Sequence, residues 1–224
     1  MKQYKTVALL PIKKNSERIK GKNFKEFAGK PLFHWILDTL LSVPSIDKIL
    51  INTDARESLI ENNIHSTDKI IIRDRKEHLL GDDTSMNLII EDDINFIDSK
   101  IYLMTHTTNP LLKSNTISES LKVYENQDKN DSLFTVNKVQ SRFYDSEKKP
   151  VNHDPNNLLK TQDLPLWFEE NSCLYIFSKS SFKKTNARIG LDPLMFPIAK
   201  SESFDIDEID DWDMAESIMK GRHS

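Results

Sequence analysis

Glycine is scarce in this chain: five residues of 224, alongside nine prolines. Those five form neither the G-x-x-x-x-G-K-[ST] phosphate loop nor the glycine-rich dinucleotide fingerprint. Cysteine is almost absent. The one thiol, Cys173, excludes an internal disulfide and any multi-cysteine zinc site, suits a reducing cytosol, and reads as a small core residue. Excess positive charge is missing too: 31 Lys and Arg against 35 Asp and Glu leave a net −4. That argues against a binder of nucleic-acid polymers or membrane surfaces, which would normally be basic. A small anionic ligand needs only a local cationic patch and stays open. No apolar run approaches the ~18–20 residues of a transmembrane helix. Met1 to Ile12 enters a strand-like run without a signal-peptide layout, so a cytoplasmic protein is expected. The six histidines form no H-x-H or H-E-x-x-H pattern, and no G-x-S-x-G elbow is present.

What is present, 38% hydrophobic and 29% charged residues, fits one ordinary domain over residues 1–224. Strand and helix signals alternate through its first two-thirds. Thr6 to Leu10, bounded by Pro11, is a short apolar run typical of a strand buried on both faces. Pro31 opens a helix carrying Leu32, Ile36, Leu37, Leu40 and Leu41 at helical spacing. Strands are expected at 48–53, 69–73, 101–104, 132–138 and 173–177. Helices are expected at 86–97, near 114–125 and near 210–220, the first of these preceded by the capping residues Thr84 and Ser85. This alternation predicts an α/β sandwich with a mainly parallel sheet. Ligands of such sheets lie beyond the carboxyl ends of the strands, which directs attention to 11–30, 52–56, 74–85 and 105–113. Between about Arg142 and Leu166 the pattern weakens into polar, proline-containing sequence. A stretch that long is functional, an arm, or mobile.

Charge is unevenly distributed. Lys13 to Lys30 holds seven basic residues against Glu17 and Glu26, a local +5 just past the first strand. Lysines and free backbone amides at that place could hold phosphate; a solvated basic loop is the alternative. At the other pole, Glu202 to Glu216 carries eight carboxylates and no base. Within it, Asp205-Ile206-Asp207 sets two carboxylates at i and i+2, on one face if the chain is extended. Such a pair suits Mg²⁺, which keeps waters and takes further ligands from substrate phosphates. Helix capping is the alternative, and it accounts well for Asp210 and Asp211. His106, in Thr105-His106-Thr107-Thr108-Asn109-Pro110, follows a strand and could touch ligand or merely sit in a turn.

Taken together, these segments resemble the acylneuraminate cytidylyltransferase family, enzymes that make CMP-activated sialic and related acids. The family's A-R-x-x-S-K-[RG]-I-x-x-K-N followed by G-K-P-L is matched by Ile12-Lys13-Lys14-Asn15-Ser16-Glu17-Arg18-Ile19-Lys20-Gly21-Lys22-Asn23 and Gly29-Lys30-Pro31-Leu32. Its S-T-D is Asn52-Thr53-Asp54, and its R-P-x-x-L-x-x-D falls on Arg75 to Asp82 without a gap. Q-P-T-S-P-L-R becomes His106 to Leu112, N-G-A-I-Y becomes Asn171 to Tyr175, and D-I-D-x-x-x-D-[WF] is Asp205 to Trp212. Each fragment is weak alone; the ordered set spans nearly the whole chain.

The resemblance implies a three-layer, Rossmann-like nucleotide-diphospho-sugar transferase fold with a dimerisation arm at 138–170. It implies transfer of CMP from CTP to the anomeric hydroxyl of a sialic-acid-like nonulosonate, with release of pyrophosphate. Lys22 and Asn23 inherit contacts to the CTP phosphates and ribose, with Ser16 in the same loop. Lys13 stands for a phosphate-binding arginine, keeping the charge but losing the planar fork. Arg75 would contact cytosine, with Ser85 nearby. Asp205 and Asp207 would ligate Mg²⁺. Lys13 and Lys22 would offset charge developing at the phosphate; no residue stands out as general base, and Asp207 or Asp211 are the nearest candidates. On the sugar side the resemblance implies His106, Thr108, Gln162, Asn171 and Tyr175, with Lys138 and Arg142 at the start of an arm reaching into the neighbouring subunit of a homodimer.

Departures fall mainly on that sugar side. Glu17 reverses a charge inside the phosphate loop and is expected to face away from phosphate. His106 replaces a glutamine and Leu112 an arginine, while Lys160-Thr161-Gln162 lacks the arginine expected to meet the acid's carboxylate; Lys160 or Arg142 could substitute. Two alternatives follow: a cytidylyltransferase for an octulosonate or phosphonate, or a sugar-nucleotide-binding protein without turnover.

Overall fold

The computed structural model describes residues 3–223. Its main sheet has seven strands: β1 (Tyr4–Ile12), β4 (Lys48–Thr53), β5 (Ile70–Asp74), β6 (Ser99–Met104), β7 (Ser132–Val139), β8 (Trp167–Phe177) and β9 (Pro193–Pro197). Two short strands, β2 (Glu26–Phe27) and β3 (Lys30–Pro31), form a separate hairpin. The helices are α1 (Leu32–Leu41), α2 (Arg56–Glu61), α3 (Met86–Phe96), α4 (Ser114–Glu125), α5 (Lys179–Thr185) and α6 (Ile209–His223). Spatial order in the sheet is β5-β4-β1-β6-β8-β7-β9, and only β8 runs antiparallel to its neighbours.

The predicted alternation is therefore the observed one. β1 is apolar on both faces because both are covered. Ala8, Leu10 and Ile12 pack with α1 and α4 residues such as Ile36, Leu40 and Ile117, while Val7 and Leu9 pack with Ile90 and Ile94 of α3 and Phe182 of α5. Helices on both faces of a mainly parallel sheet make a three-layer α/β fold. β1 runs two residues beyond the expected end, through Pro11. The carbonyl of Leu9 accepts from Thr105, where β6 has just ended, so two residues on the missing N–H of Pro11 falls on an edge no strand occupies.

The chain leaves β1 toward β4 and β5 on one side and returns through β6 on the other. The strand order thus reverses between β1 and β6, and that switch point is where open α/β sheets place their ligands.

A third apolar cluster joins the two charged poles. Ile19 of the basic loop, Phe27 of the hairpin, Leu32 and Leu111 pack against Ile206, Trp212, Ala215 and Met219. Phe27 and Trp212 meet edge-on, with ring centroids 5.2 Å apart. Ile206 is fully buried, a contribution of roughly 1.5–3 kcal/mol that holds its flanking aspartates in place.

Past Val139 and before Trp167 the chain forms an extension with isolated bridges Tyr144–Pro150 and Asp154–Asn157. It is less polar at its surface than expected: Tyr144, Val151, Leu158 and Leu159 are exposed, Leu158 by 72%. No helix among the described residues is long and apolar enough to cross a membrane.

Candidate active site

At the switch point lies a cleft of about 330 Å³. Its walls include Lys13, Ser16, Arg18, Lys22 and Asn23 from the loop after β1, Arg75 after β5, His106 and Thr108 after β6, and Asp207 near the C-terminal end. Four segments far apart in sequence supply these groups, all at carboxyl ends of strands or packed against them.

The basic loop is shaped from within. Gly21 takes a left-handed conformation (φ 64°) that a side chain would strain, and the 3-10 turn Lys22–Phe24 follows. Asn23 donates to the carbonyl of Lys13 at 2.7 Å and accepts from Thr107 Oγ1 at 2.6 Å, tying the loop to the end of β6. Lys22 is buried. Its Nζ donates to the carbonyl of Ile206 at 2.5 Å and lies 3.8 Å from Asp207 Oδ1. Burial lowers the pKa of the Lys22 ammonium, a shift the charges of Asp207 and Asp205 oppose. Arg18 pairs with Asp207 at 2.7 Å, and Lys13 with Asp82 at 2.6 Å.

Asp205 and Asp207 divide their surroundings. Asp207 faces the cleft, whereas Asp205 lies behind that wall, hydrogen-bonded to Thr108, with a buried Oδ1 that has no partner. Burial raises its carboxyl pKa, and the charge of Asp207 adds to the effect. No cluster of three or more potential His, Cys, Asp or Glu metal ligands exists among the described residues. Two hard carboxylates, one carrying an orphaned oxygen, nonetheless fit a Mg²⁺ ion whose other positions are filled by substrate oxygens and water. Asp211 is occupied otherwise: its Oδ2 accepts the main-chain N–H groups of Asp207 and Glu208, capping α6.

Other expected site residues lie elsewhere. Glu17 is a correction: it does not turn away but lines the cleft beside Asp82. Ser85 is exposed and caps α3, accepting from the N–H of Asn87, with Met86 rather than Ser85 on the wall. Asn171 is buried away from the cleft, bonded to Thr135 and Asn137 where β8 bulges. Gln162, Lys160 and Lys138 are exposed on the extension or its base, and Arg142 donates to the carbonyl of Leu159. Leu112, at a position where the resemblance expects arginine, is a core residue. Tyr175 is buried, its hydroxyl donating to Glu170.

One side chain packed behind the cleft wall has no counterpart among the sequence expectations. Arg188, in the turn after α5, reaches His106 Nε2 at 3.2 Å and the Tyr175 hydroxyl at 2.9 Å, with its guanidinium 3.7 Å from the Tyr175 ring centroid. No periodicity marks this residue; its only signal is being an arginine in a short polar turn.

A mainly parallel sheet with a cation-lined cleft at its switch point is the architecture of nucleotide-binding α/β proteins. The family profile described as cytidylyltransferase matches residues 7–208, and the chain belongs to that family. It is 22% identical to a pseudaminic acid cytidylyltransferase of Campylobacter jejuni, covering 98% of each chain. It is 24% identical to an N-acylneuraminate cytidylyltransferase of Streptococcus agalactiae, covering 93% of this chain but 52% of that longer protein. Among solved structures, a CMP:2-keto-3-deoxy-manno-octonic acid synthetase complexed with CTP superposes with a TM-score of 0.69 at 12% identity, over 97% of this chain and 99% of that one. At that identity the likeness speaks for the fold.

Proposed function

We propose that this protein transfers the cytidylyl group of CTP to the anomeric hydroxyl of a nonulosonate, a nine-carbon 2-keto sugar acid, and releases pyrophosphate. The observation that carries the reading is the meeting of Lys22 with Asp207 at one cleft, Asp205 close behind it: Lys22 Nζ lies 2.5 Å from the carbonyl between the two aspartates. Lysines for phosphate and carboxylates for a divalent cation are the complementary halves of a site for a metal–triphosphate complex. Extent supports the acid acceptor, because the pseudaminic acid relative matches end to end.

In the reaction the acceptor hydroxyl oxygen attacks the α-phosphorus, the bond to the β-phosphate oxygen breaks with pyrophosphate leaving, and the hydroxyl proton passes to solvent water. The protein positions the two substrates and neutralises charge. Arg75 holds one end of the nucleotide. Lys13, Lys22 and Arg18 face its phosphates, and Asn23 fixes the loop that carries them. Mg²⁺ held by Asp205 and Asp207 would supply Lewis-acid stabilisation of the phosphate oxygens. The acceptor lies beside His106 and Thr108, the side of the cleft that the nucleotide leaves free.

The extension at 138–170, with its exposed Tyr144, Val151, Leu158 and Leu159, is read as the arm of a homodimer that presents Lys138, Arg142 and Gln162 to the partner's acceptor site. Light scattering tests this directly: Leu158→Asp should shift the population toward monomer.

Pyrophosphate release tests the function. The purified protein is offered CTP, UTP or ATP with sialic, pseudaminic and octulosonic acids and a phosphonate. CTP-dependent release with a nine-carbon acid is expected. Release only with an octulosonate or phosphonate would redirect the acceptor, and none with CTP across the panel would sink the assignment.

A further inference from the structure

Three strand ends divide the cleft. Arg75 follows β5 on one side, the basic loop follows β1 in the middle, and His106 follows β6 on the other side. A nucleotide running from Arg75 across the loop leaves the His106 side for the acceptor. The chemistry that His106 offers there depends on which ring nitrogen carries its proton.

The structure decides that through Arg188. A guanidinium is a donor only and stays charged, so a nitrogen hydrogen-bonded to it must accept. Arg188 Nη1 lies 3.2 Å from His106 Nε2, which makes Nε2 the acceptor and leaves the proton on Nδ1. Nε2 is the ring nitrogen tied to Arg188, and the ring lines the cleft wall. Arg188 has little freedom to turn away: Nη2 donates to the Tyr175 hydroxyl at 2.9 Å, Glu170 lies 3.8 Å off, and the guanidinium stacks on the Tyr175 ring. Tyr175 in turn is fixed in β8 and donates to Glu170. Burial and the neighbouring Arg188 charge also push the His106 pKa down to about 3, so the ring is neutral at neutral pH.

We propose that Arg188 is a positioning residue that locks His106 in its Nδ1–H form, so that the acceptor side of the cleft presents a neutral hydrogen-bond donor to an oxygen of the acid substrate. This rests on the transferase reading above. A glutamine could do the same, with its carbonyl toward Arg188 and its amide N–H toward the cleft. That equivalence gives a physical reason why histidine can stand at a position where the resembling family carries glutamine. Arg188 acts through His106: its Nη1 and Nη2 are engaged by His106 Nε2 and the Tyr175 hydroxyl.

Nitrogen-15 NMR of histidine-labelled protein reads the tautomer without any turnover. Wild type should show Nδ1 protonated and Nε2 bare at neutral pH, and Arg188→Ala should shift His106 toward a mixture of tautomers. Arg188→Lys, which retains a donor for Nε2, should keep the wild-type form. In steady-state kinetics Arg188→Ala should raise KM for the acid about tenfold with little change in KM for CTP, about 1.4 kcal/mol for a lost oriented hydrogen bond. His106→Gln should bind the acid at least tenfold more tightly than His106→Glu, which offers the cleft no donor at neutral pH. An Nε2–H tautomer in wild type, or an unchanged spectrum in Arg188→Ala, overturns the proposal whatever the activity. So does His106→Glu matching His106→Gln. A locked Nδ1–H ring in a protein inactive with every acid would instead count against the transferase reading.

Discussion

Asn52 holds Arg75 by both of its carbonyl oxygens: the side-chain Oδ1 accepts from Nε at 3.1 Å and the main-chain oxygen accepts from Nη2 at 3.1 Å. The amide cannot be flipped, because its Nδ2 donates to Asp93 Oδ1 at 2.7 Å. Asp93, fully buried on α3, thereby sets the orientation of an arginine at the cleft wall that it does not itself reach.

The consequence is a kinetic one. Asn52→Ala should leave Arg75 in place but unoriented, raising KM for CTP about tenfold and KM for the acid little. Stability should fall by about 1–3 kcal/mol, since Asp93 then loses a buried hydrogen-bond partner. Steady-state kinetics and chemical denaturation read the two effects separately. Equal rises in both Michaelis constants would show that Arg75 does not serve the nucleotide.

Asp93 also sets a pH dependence. Its carboxyl is pushed up to about 7, first by burial and then by the charge of Asp92. The Asn52 hydrogen bond and the cations Arg73 on β5 and Arg75 pull the other way. In the unfolded chain it would titrate near 3.8. Between those values the folded protein binds the extra proton, so this group's contribution is full below about pH 4 and is lost as pH rises toward 7. Asp93→Asn abolishes that dependence. Relative to the variant, wild type should lose stability over this window with a slope of up to about 1.4 kcal/mol per pH unit. Denaturation midpoints from pH 4.5 to 8 measure the difference, and parallel profiles would contradict it.

Ser172 carries backbone strain in a place the motif foretells. It sits at φ 55° within β8, where the register with β7 shifts between Phe134 and Val136. The resembling family's N-G-A-I-Y has glycine there, and the structure supplies the reason: a left-handed residue at a bulge. Ser172→Gly should therefore stabilise the protein by about 1 kcal/mol, raising Tm by roughly 2–4 °C. The hydroxyl it removes receives only a 3.4 Å contact from Tyr175. A lowered Tm would mean that contact outweighs the strain.

How far the sequence foretold these features depended on the range over which each signal acts. β1, β4 and β6 are apolar runs whose burial on both faces is written locally, and α1 and α3 carry their stripes at helical spacing. β9 was missed because Pro193 and Pro197 bracket it and read as loop, although an edge strand tolerates them. The outer half of β8, Trp167 to Glu170, is exposed and lacks the alternation of a half-buried strand. Motif order located the cleft residues that lie in short local strings, such as Lys22 and Asp207. It did not reveal Arg188, since no local pattern records a contact between residues 82 positions apart. Nor could composition show that Glu17 lines the cleft, because the direction of an exposed loop side chain is set by neighbours such as Asp82.

Arg18 and Asp207 set the last expectation. Their ion pair, 2.7 Å long, lies at the cleft with both side chains about half exposed (56% and 47%). An exposed pair of this kind contributes only about 0–1 kcal/mol, so an incoming metal–nucleotide complex can break it cheaply. Arg18 would then be released toward the phosphates as Asp207 turns to the cation. Arg18→Ala should lower the Mg²⁺ concentration needed for half-maximal rate, because Asp207 no longer has a competing partner, while raising KM for CTP several-fold. Asp207→Asn should cut turnover by about 100-fold or more without lowering Tm appreciably, as expected when a charge acts at the reaction rather than in the core. Chelation of divalent ions should abolish turnover in wild type and Arg18→Ala alike. Full activity in excess chelator, or an Asp207→Asn enzyme as fast as wild type, would remove the metal from this site and leave Asp207 as a partner for Arg18 and Lys22 alone.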